Sequence, residues 1–138
     1  MKDRYKEILE GLQEDNAPKH KNDRILIIDG LNTFIRSFAV NPSTNEDGIH
    51  VGGMTGFLHS IGFAIRNIKP TRVIICFDGK GGSQRRRKIY PEYKQNRRVR
   101  KHLTRANTFQ SIDDERISMG QQINRLTQYL ETLPLTVL

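Results

Sequence analysis

Arg24-Ile25-Leu26-Ile27-Ile28-Asp29-Gly30 is the stretch that decides the fold. Four consecutive aliphatic residues, three of them β-branched, predict a strand buried on both faces, as in the parallel sheet of an α/β domain. Gly30 permits a tight turn, and Leu31 to Phe38 reads as a helix entered at once. Thr71-Arg72-Val73-Ile74-Ile75-Cys76-Phe77-Asp78-Gly79 repeats the form: an apolar, β-branched core closed by Asp-Gly. Strand, helix, strand over roughly 50 residues predicts a right-handed βαβ unit with parallel strands.

The intervening and following segments fit that frame. Ala39 to His50, with Pro42, Asn45 and Gly48, reads as a loop. Val51-Gly52-Gly53-Met54-Thr55-Gly56 leads into Phe57, Leu58, Ile61, Gly62, Ala64, Ile65 and Ile68 at helical spacing, ended by Lys69-Pro70. Those glycines either bring backbone N–H groups to a phosphate at a helix N-terminus or simply permit close packing. Neither the Rossmann nor the P-loop spacing is present. Leu103 to Leu133 reads as helical, with Asp113-Asp114-Glu115 as a solvated face or helix start rather than metal ligands. Leu135-Thr136-Val137-Leu138 resembles a third parallel strand. At the other end, Tyr5, Ile8, Leu9 and Leu12 form one stripe of an amphipathic helix, broken by Asn16 and Pro18. That helix packs on the domain or binds another protein. Residues 1–23 are therefore taken as an N-terminal helix and linker, and 24–138 as one domain.

Charge is strongly localised. Lys80 to Arg105 holds 11 of the 23 lysines and arginines and one acid, Glu92, whereas the rest of the chain is slightly acidic. A sequence pI near 9.9 favours anionic partners, of which nucleic acid is the commonest. The longest apolar runs are far shorter than the roughly 20 residues that span a bilayer, so no membrane role is expected. The single cysteine, Cys76, allows no internal disulfide and fits a reducing compartment. With no apolar signal segment at the N-terminus, the expected location is the cytoplasm. Within the basic stretch, Arg85-Arg86-Arg87-Lys88 precedes Tyr90, Tyr93, Lys94 and Asn96-Arg97-Arg98. Cations suit phosphates, and aromatic faces suit stacking on unpaired bases. A solvated basic loop or a nuclear address signal is the alternative.

Ligands in open α/β sheets sit at the carboxyl ends of strands, which is where Asp29 and Asp78 fall. Taken alone, Asp29 is equally an N-cap for the following helix. If the two strands are neighbours, both carboxylates finish at one edge, where they can hold Mg2+ or Mn2+, hard cations that prefer oxygen ligands.

The run IIDGLNTFIRSF, followed by VGGMTGFLHSIGFAIRNIKPTRVIICFDGKGGSQRRRKIYPEYKQNRR, is similar to the N-terminal part of the 5′ nucleases. These comprise flap endonucleases, the 5′→3′ exonuclease domain of bacterial DNA polymerases and the phage RNase H-type 5′ nucleases, which it resembles most. The match is specific over Ile25 to Arg98, carried by D-G-x-N-x-x-x-R, F-D-G and Y-P-x-Y-K-x-N-R. The resemblance implies a PIN-like, resolvase-like three-layer α/β fold with a parallel sheet and a basic helical arch over about residues 80–125. It implies metal ligation by Asp29 and Asp78, with two ions in a complete site. Arg36 and Lys94 are implied as catalytic groups that contact phosphate and stabilise its developing charge. Tyr93 is implied to stack on a terminal base. Arg97 and Arg98 lie in the arch that guides the 5′ strand, beside Arg85, Arg86, Arg87 and Lys88.

The resemblance also marks an absence. The family continues past the arch into an E-A-D-D-type metal motif and further aspartates, and Leu138 precedes them. The sequence is therefore expected to be an N-terminal half: a truncation, a split product or a fragment. Its unfinished sheet is expected to expose apolar surface and to need a partner. Two classes of function follow. One is a metal-dependent 5′-3′ exonuclease or flap endonuclease acting on DNA with 5′ single-stranded ends, or on RNA–DNA hybrid. It would be completed by a C-terminal portion or partner chain, in the host cytoplasm if phage-encoded. The other is a non-catalytic nucleic-acid-binding half-domain or an interaction subunit of a replication complex.

Overall fold

Three parallel strands, β1 (Ile25–Asp29), β2 (Arg72–Cys76) and β3 (Thr136–Val137), lie side by side in that order. Among the described residues four helices accompany them: α1 (Gly30–Val40), α2 (Gly52–Ile68), the short α3 (Gln84–Ile89) and α4 (Ile112–Leu130). The computed structural model describes residues 20–79, 84–92, 102–105 and 109–138. The proposed N-terminal amphipathic helix lies outside them. The α/β class, the parallel βαβ unit and the third strand all appear as the sequence predicts. The helical stretch expected from Leu103 is shorter, beginning at Ile112.

The start of β1 is tied to the start of β2 through Thr71. Its hydroxyl accepts from Arg24 N at 3.0 Å and donates to Arg24 O at 3.1 Å. Arg24 also reaches the C-terminus of α2, its Nη1 donating to Ile68 O at 3.0 Å. There Lys69 takes a left-handed φ of 49° and Pro70 prevents continuation, so α2 stops where β2 must begin.

The core forms on one face of the sheet, where Ile75 meets Phe34 and Phe38 of α1, Phe57 and Ile61 of α2, and Leu126 and Leu130 of α4. On the opposite face Ile25 and Ile27 are 45% and 67% exposed. The expectation of a strand buried on both faces is therefore corrected for β1. Continuous aliphatic runs read alike whether one face or both are covered, because the pattern records hydrophobicity and not its partner.

Close packing of α1 on α2 is what the glycines permit. A Cβ at Gly52 would lie 1.8 Å from Asn41 O, and one at Gly53 would lie 2.5 Å from the Phe34 ring. The N-terminus of α2 has no side-chain cap of its own. Gln122 of α4 supplies one: its Oε1 accepts from Gly53 N at 3.0 Å and Met54 N at 3.2 Å. Its Nε2 donates to His50 O at 2.8 Å, and contacts His50 Nδ1 at 3.1 Å. His50 Nε2 in turn lies 2.7 Å from Asn41 O, which fixes the Nε2–H tautomer. Two of the N–H groups that a phosphate would need are thus already satisfied, and of the two readings of the glycine run the packing one holds.

Gln122 is 4% exposed, so replacing it with Leu strands the buried Gly53 N–H and the partly buried Met54 N–H, and leaves His50 O without its donor. At about 1–3 kcal/mol for each unsatisfied group, Gln122→Leu is expected to lower stability by at least about 2 kcal/mol. Urea unfolding measures this, and an unchanged midpoint and slope would refute the assigned role.

Candidate active site and nucleic-acid interface

Asp29 and Asp78 come to the same edge of the sheet because β1 and β2 run parallel. They are not directly opposite. Asp29 pairs in register with Cys76, and Asp78 lies two residues further along, about 6–7 Å at the usual strand rise. Both side chains are exposed. Asp29 fulfils the capping role as well: with φ −72° and ψ 100° it precedes α1, and its Oδ1 accepts from Asn32 N at 2.9 Å. The two readings of this residue are compatible, since one oxygen caps the helix and Oδ2 is left for a ligand.

What sets this edge is a close approach. A Cβ at Gly30 would sit 2.9 Å from the Phe77 ring and 3.0 Å from Cys76 O. The first turn of α1 therefore rests directly on the chain that leads to Asp78. Phe77 is held in turn by Phe57 of α2, ring centroids 6.1 Å apart and nearly parallel, and by its N–H donating to Leu138 O at 2.7 Å. The Asp29-Gly30 pair thus has a structural duty beside its carboxylate.

Arg36 projects from α1 two helical turns beyond Asp29. It lines a cavity of about 780 Å3 between α1 and residues 103–105. Arg85, Arg87 and Lys88 are exposed on α3, as is Arg86, and no buried residue anchors that helix. Tyr90 is 57% exposed and donates to Glu92 Oε2 at 3.0 Å. Tyr93, Lys94, Arg97 and Arg98 lie outside the described residues. Among the described residues no group of three or more His, Cys, Asp or Glu is placed to hold a metal ion. The donors present nevertheless fit a hard divalent cation in kind: two carboxylates at one edge, each open to water and substrate oxygens.

Glu115 was missed. Asp113 and Asp114 do form a helix start, with Ser111 accepting from Asp114 N at 3.1 Å and donating to Asp114 Oδ2 at 2.7 Å. Glu115, by contrast, is 2% exposed. Its Oε1 accepts from Leu103 N at 2.6 Å, and its Oε2 accepts from Thr104 N at 3.2 Å and Thr104 Oγ1 at 2.5 Å. His102 Nδ1 stands 3.5 Å away. A carboxylate is tolerated inside when this many donors converge on it. Burial by itself pushes its pKa up, but the Thr104 hydroxyl, the Leu103 and Thr104 N–H groups and His102 together hold it below its ordinary value. In the sequence these partners lie 11 to 13 residues away in a polar stretch, which leaves no periodic signal.

A family model described as 5′-3′ exonuclease, N-terminal resolvase-like domain, matches residues 24–138. A 5′-3′ exonuclease of Bacillus subtilis (strain 168) is 31% identical over 81 residues, which cover 55% of this chain and 27% of that protein. A 5′-3′ exonuclease of Mycobacterium tuberculosis is 27% identical over 109 residues, covering 78% of this chain and 33% of its own. A DNA polymerase I of Borreliella burgdorferi is 34% identical over 76 residues, covering 53% of this chain and 8% of its own. The chain thus spans no more than about a third of the length of these relatives. No solved structure matches it.

The Glu115 clasp predicts a pH dependence. Because the folded pKa is lowered, its stabilisation is complete above the ordinary carboxylate value near 4.5 and is lost as pH falls through the folded value. Amide hydrogen exchange at Leu103 and Thr104, corrected for intrinsic rates, should show protection that disappears in that acid range. Glu115→Gln should remove much of it already at neutral pH. Protection that ignores both changes would exclude the clasp.

Proposed function

The chain belongs to the 5′-3′ exonuclease N-terminal resolvase-like domain family, and from that premise we propose that it is part of a metal-dependent 5′-3′ exonuclease or flap endonuclease. The observation that carries the reading is the family match across residues 24–138, with two strand-end carboxylates brought to one edge by the parallel pairing of β1 and β2. Its substrate is DNA with a 5′ single-stranded end or flap, or an RNA–DNA hybrid. The reaction is hydrolysis of a phosphodiester: water adds to phosphorus, and the bond to one ester oxygen breaks.

Asp29 and Asp78 are the residues that would hold Mg2+ or Mn2+. When bound, such ions polarise the phosphate and lower the pKa of a coordinated water. Asp29 is kept in one orientation by its bond to Asn32 N, so its free oxygen is aimed before any ligand arrives. Arg36 is assigned to the phosphate and Lys94 to the charge that develops on it. Tyr93 is assigned to the terminal base. Arg85, Arg86, Arg87 and Lys88, with Arg97 and Arg98, are assigned to guiding the strand towards the carboxylate edge, the exposed cations of α3 supporting that role. A complete two-ion site needs more carboxylates than these two. We assign the remainder to sequence that the longer relatives carry beyond the matched portion, or to a partner chain. Kinship with the phage RNase H-type branch rests on sequence resemblance alone, as does a place in the host cytoplasm. No helix among the described residues is long and apolar enough to cross a membrane.

A labelled 5′-flap DNA with Mg2+ or Mn2+ tests the reading. Cleavage is expected once the portion that supplies the remaining carboxylates is present, and Asp78→Ala or removal of the metal should reduce it to background. Binding without cleavage at any metal concentration would instead leave a nucleic-acid-binding half-domain. Binding should weaken steeply with salt, and Arg85/Arg86/Arg87→Ala should reduce the slope of log affinity against log salt by about 2–3. Affinity indifferent to salt would remove the basic segment from the interface.

A further inference from the structure

Two cavities on the surface join end to end. One, about 270 Å3, is lined by Asp29, Thr33 and Ser60, and the other, about 780 Å3, by Thr33, Ser60, Arg36 and Arg105. Thr33 and Ser60 belong to both, so a single groove runs from the Asp29 carboxylate along α1 to Arg105. Asp29, Thr33, Arg36 and Val40 follow one another at spacings of four, three and four, which is one side of a helix and one wall of the groove.

The far end is built to fix its cation. Arg105 N donates to Ala39 O at 2.9 Å, which ties the segment to the C-terminal turn of α1. Leu103 and Thr104, immediately before it, are held by the buried Glu115. Arg105 itself stays exposed. Among the described residues no acid lines the larger cavity, and neither Arg36 nor Arg105 has an ion-pair partner. Two like charges lining one cavity repel unless an anion lies between them. Among the described residues, the only acid on the groove is Asp29, at its opposite end.

We propose that this groove is a backbone track for the nucleic-acid strand beyond the carboxylate edge, with Arg105 as a phosphate contact paired with Arg36. The inference rests on the nuclease reading, and adds to it a strand path and a residue that no motif marks. Arg105 acts in binding; Glu115 is a positioning residue, acting through the 102–105 segment. A phosphodiester accepts from a guanidinium in two parallel hydrogen bonds, and the hydroxyls of Thr33 on α1 and Ser60 on α2 offer further donors along the groove.

The test is equilibrium binding of a fluorescent 5′-flap DNA to the whole chain, without divalent metal so that cleavage does not intrude, across a salt series. Arg105→Ala should weaken binding several-fold at low salt and reduce the salt slope by about 1, the value for one lost phosphate contact. Arg105→Lys should retain the slope. The Ala39 contact uses only the backbone of Arg105, so the fold should survive, and thermal unfolding checks it. As a second variant, Val40→Glu puts an acid on the groove wall and should weaken binding more than Arg105→Ala does. Inorganic phosphate at constant ionic strength should not compete; competition would mean a free-anion site in place of a strand track. If the parent chain binds with a salt-dependent affinity that neither variant alters, the track is wrong and the nuclease reading survives. If the parent chain does not bind nucleic acid at all, both fall together.

Discussion

Parallel pairing of β1 with β2, in the register that sets Asp29 opposite Cys76, is the constraint on which the rest of the structure depends. It decides that both Asp-Gly pairs end at one edge, and that Asp78 reaches two residues beyond Asp29. The register can close only because Gly30 has no side chain to meet Phe77 and Cys76 O. The same contact seats α1 on the sheet, and α1 carries Arg36 and one wall of the groove.

A second layer of constraint is polar and buried. Gln122 links α4 to the first turn of α2 and to His50, so three separate segments share one amide. Glu115, two turns earlier on the same face of α4, performs the corresponding task for residues 102–104. Leaving either group without its donors and acceptors would cost more than its hydrogen bonds contribute, so the networks act mainly by making wrong arrangements expensive. In this way α4, which carries no proposed catalytic residue, determines where residues 102–105 can lie.

Elements with a local signature were legible in the sequence. The β-branched runs at Ile25–Ile28 and Val73–Ile75, each closed by Asp-Gly, identified the parallel unit, and Leu135–Leu138 identified the third strand. The open face of β1 was not legible, because Ile25 and Ile27 are as hydrophobic as their covered neighbours and periodicity carries no record of what covers them. Asp29 looked ambiguous because it has two roles and each leaves the same trace. Glu115 was read as solvated because a charged triplet at a helix start has a sufficient local explanation in the macrodipole. Its actual partners come from a stretch without apolar periodicity. Long-range polar pairing of this kind appears only when the chain is folded.

The cap formed by Asp29 ties two equilibria together. Its Oδ1 is the acceptor that the first turn of α1 requires, and Oδ2 takes no part in that cap. A cation that engages Oδ2 alone finds a carboxylate whose rotamer was frozen during folding, and little further conformational entropy is lost. One that draws Oδ1 away from Asn32 uncaps α1, and must overcome about 1 kcal/mol to do so. By reciprocity, whatever loosens the first turn of α1 also frees that oxygen to compete for the ion. Occupancy of the sheet edge and fraying of a helix end are therefore one thermodynamic variable read at two places.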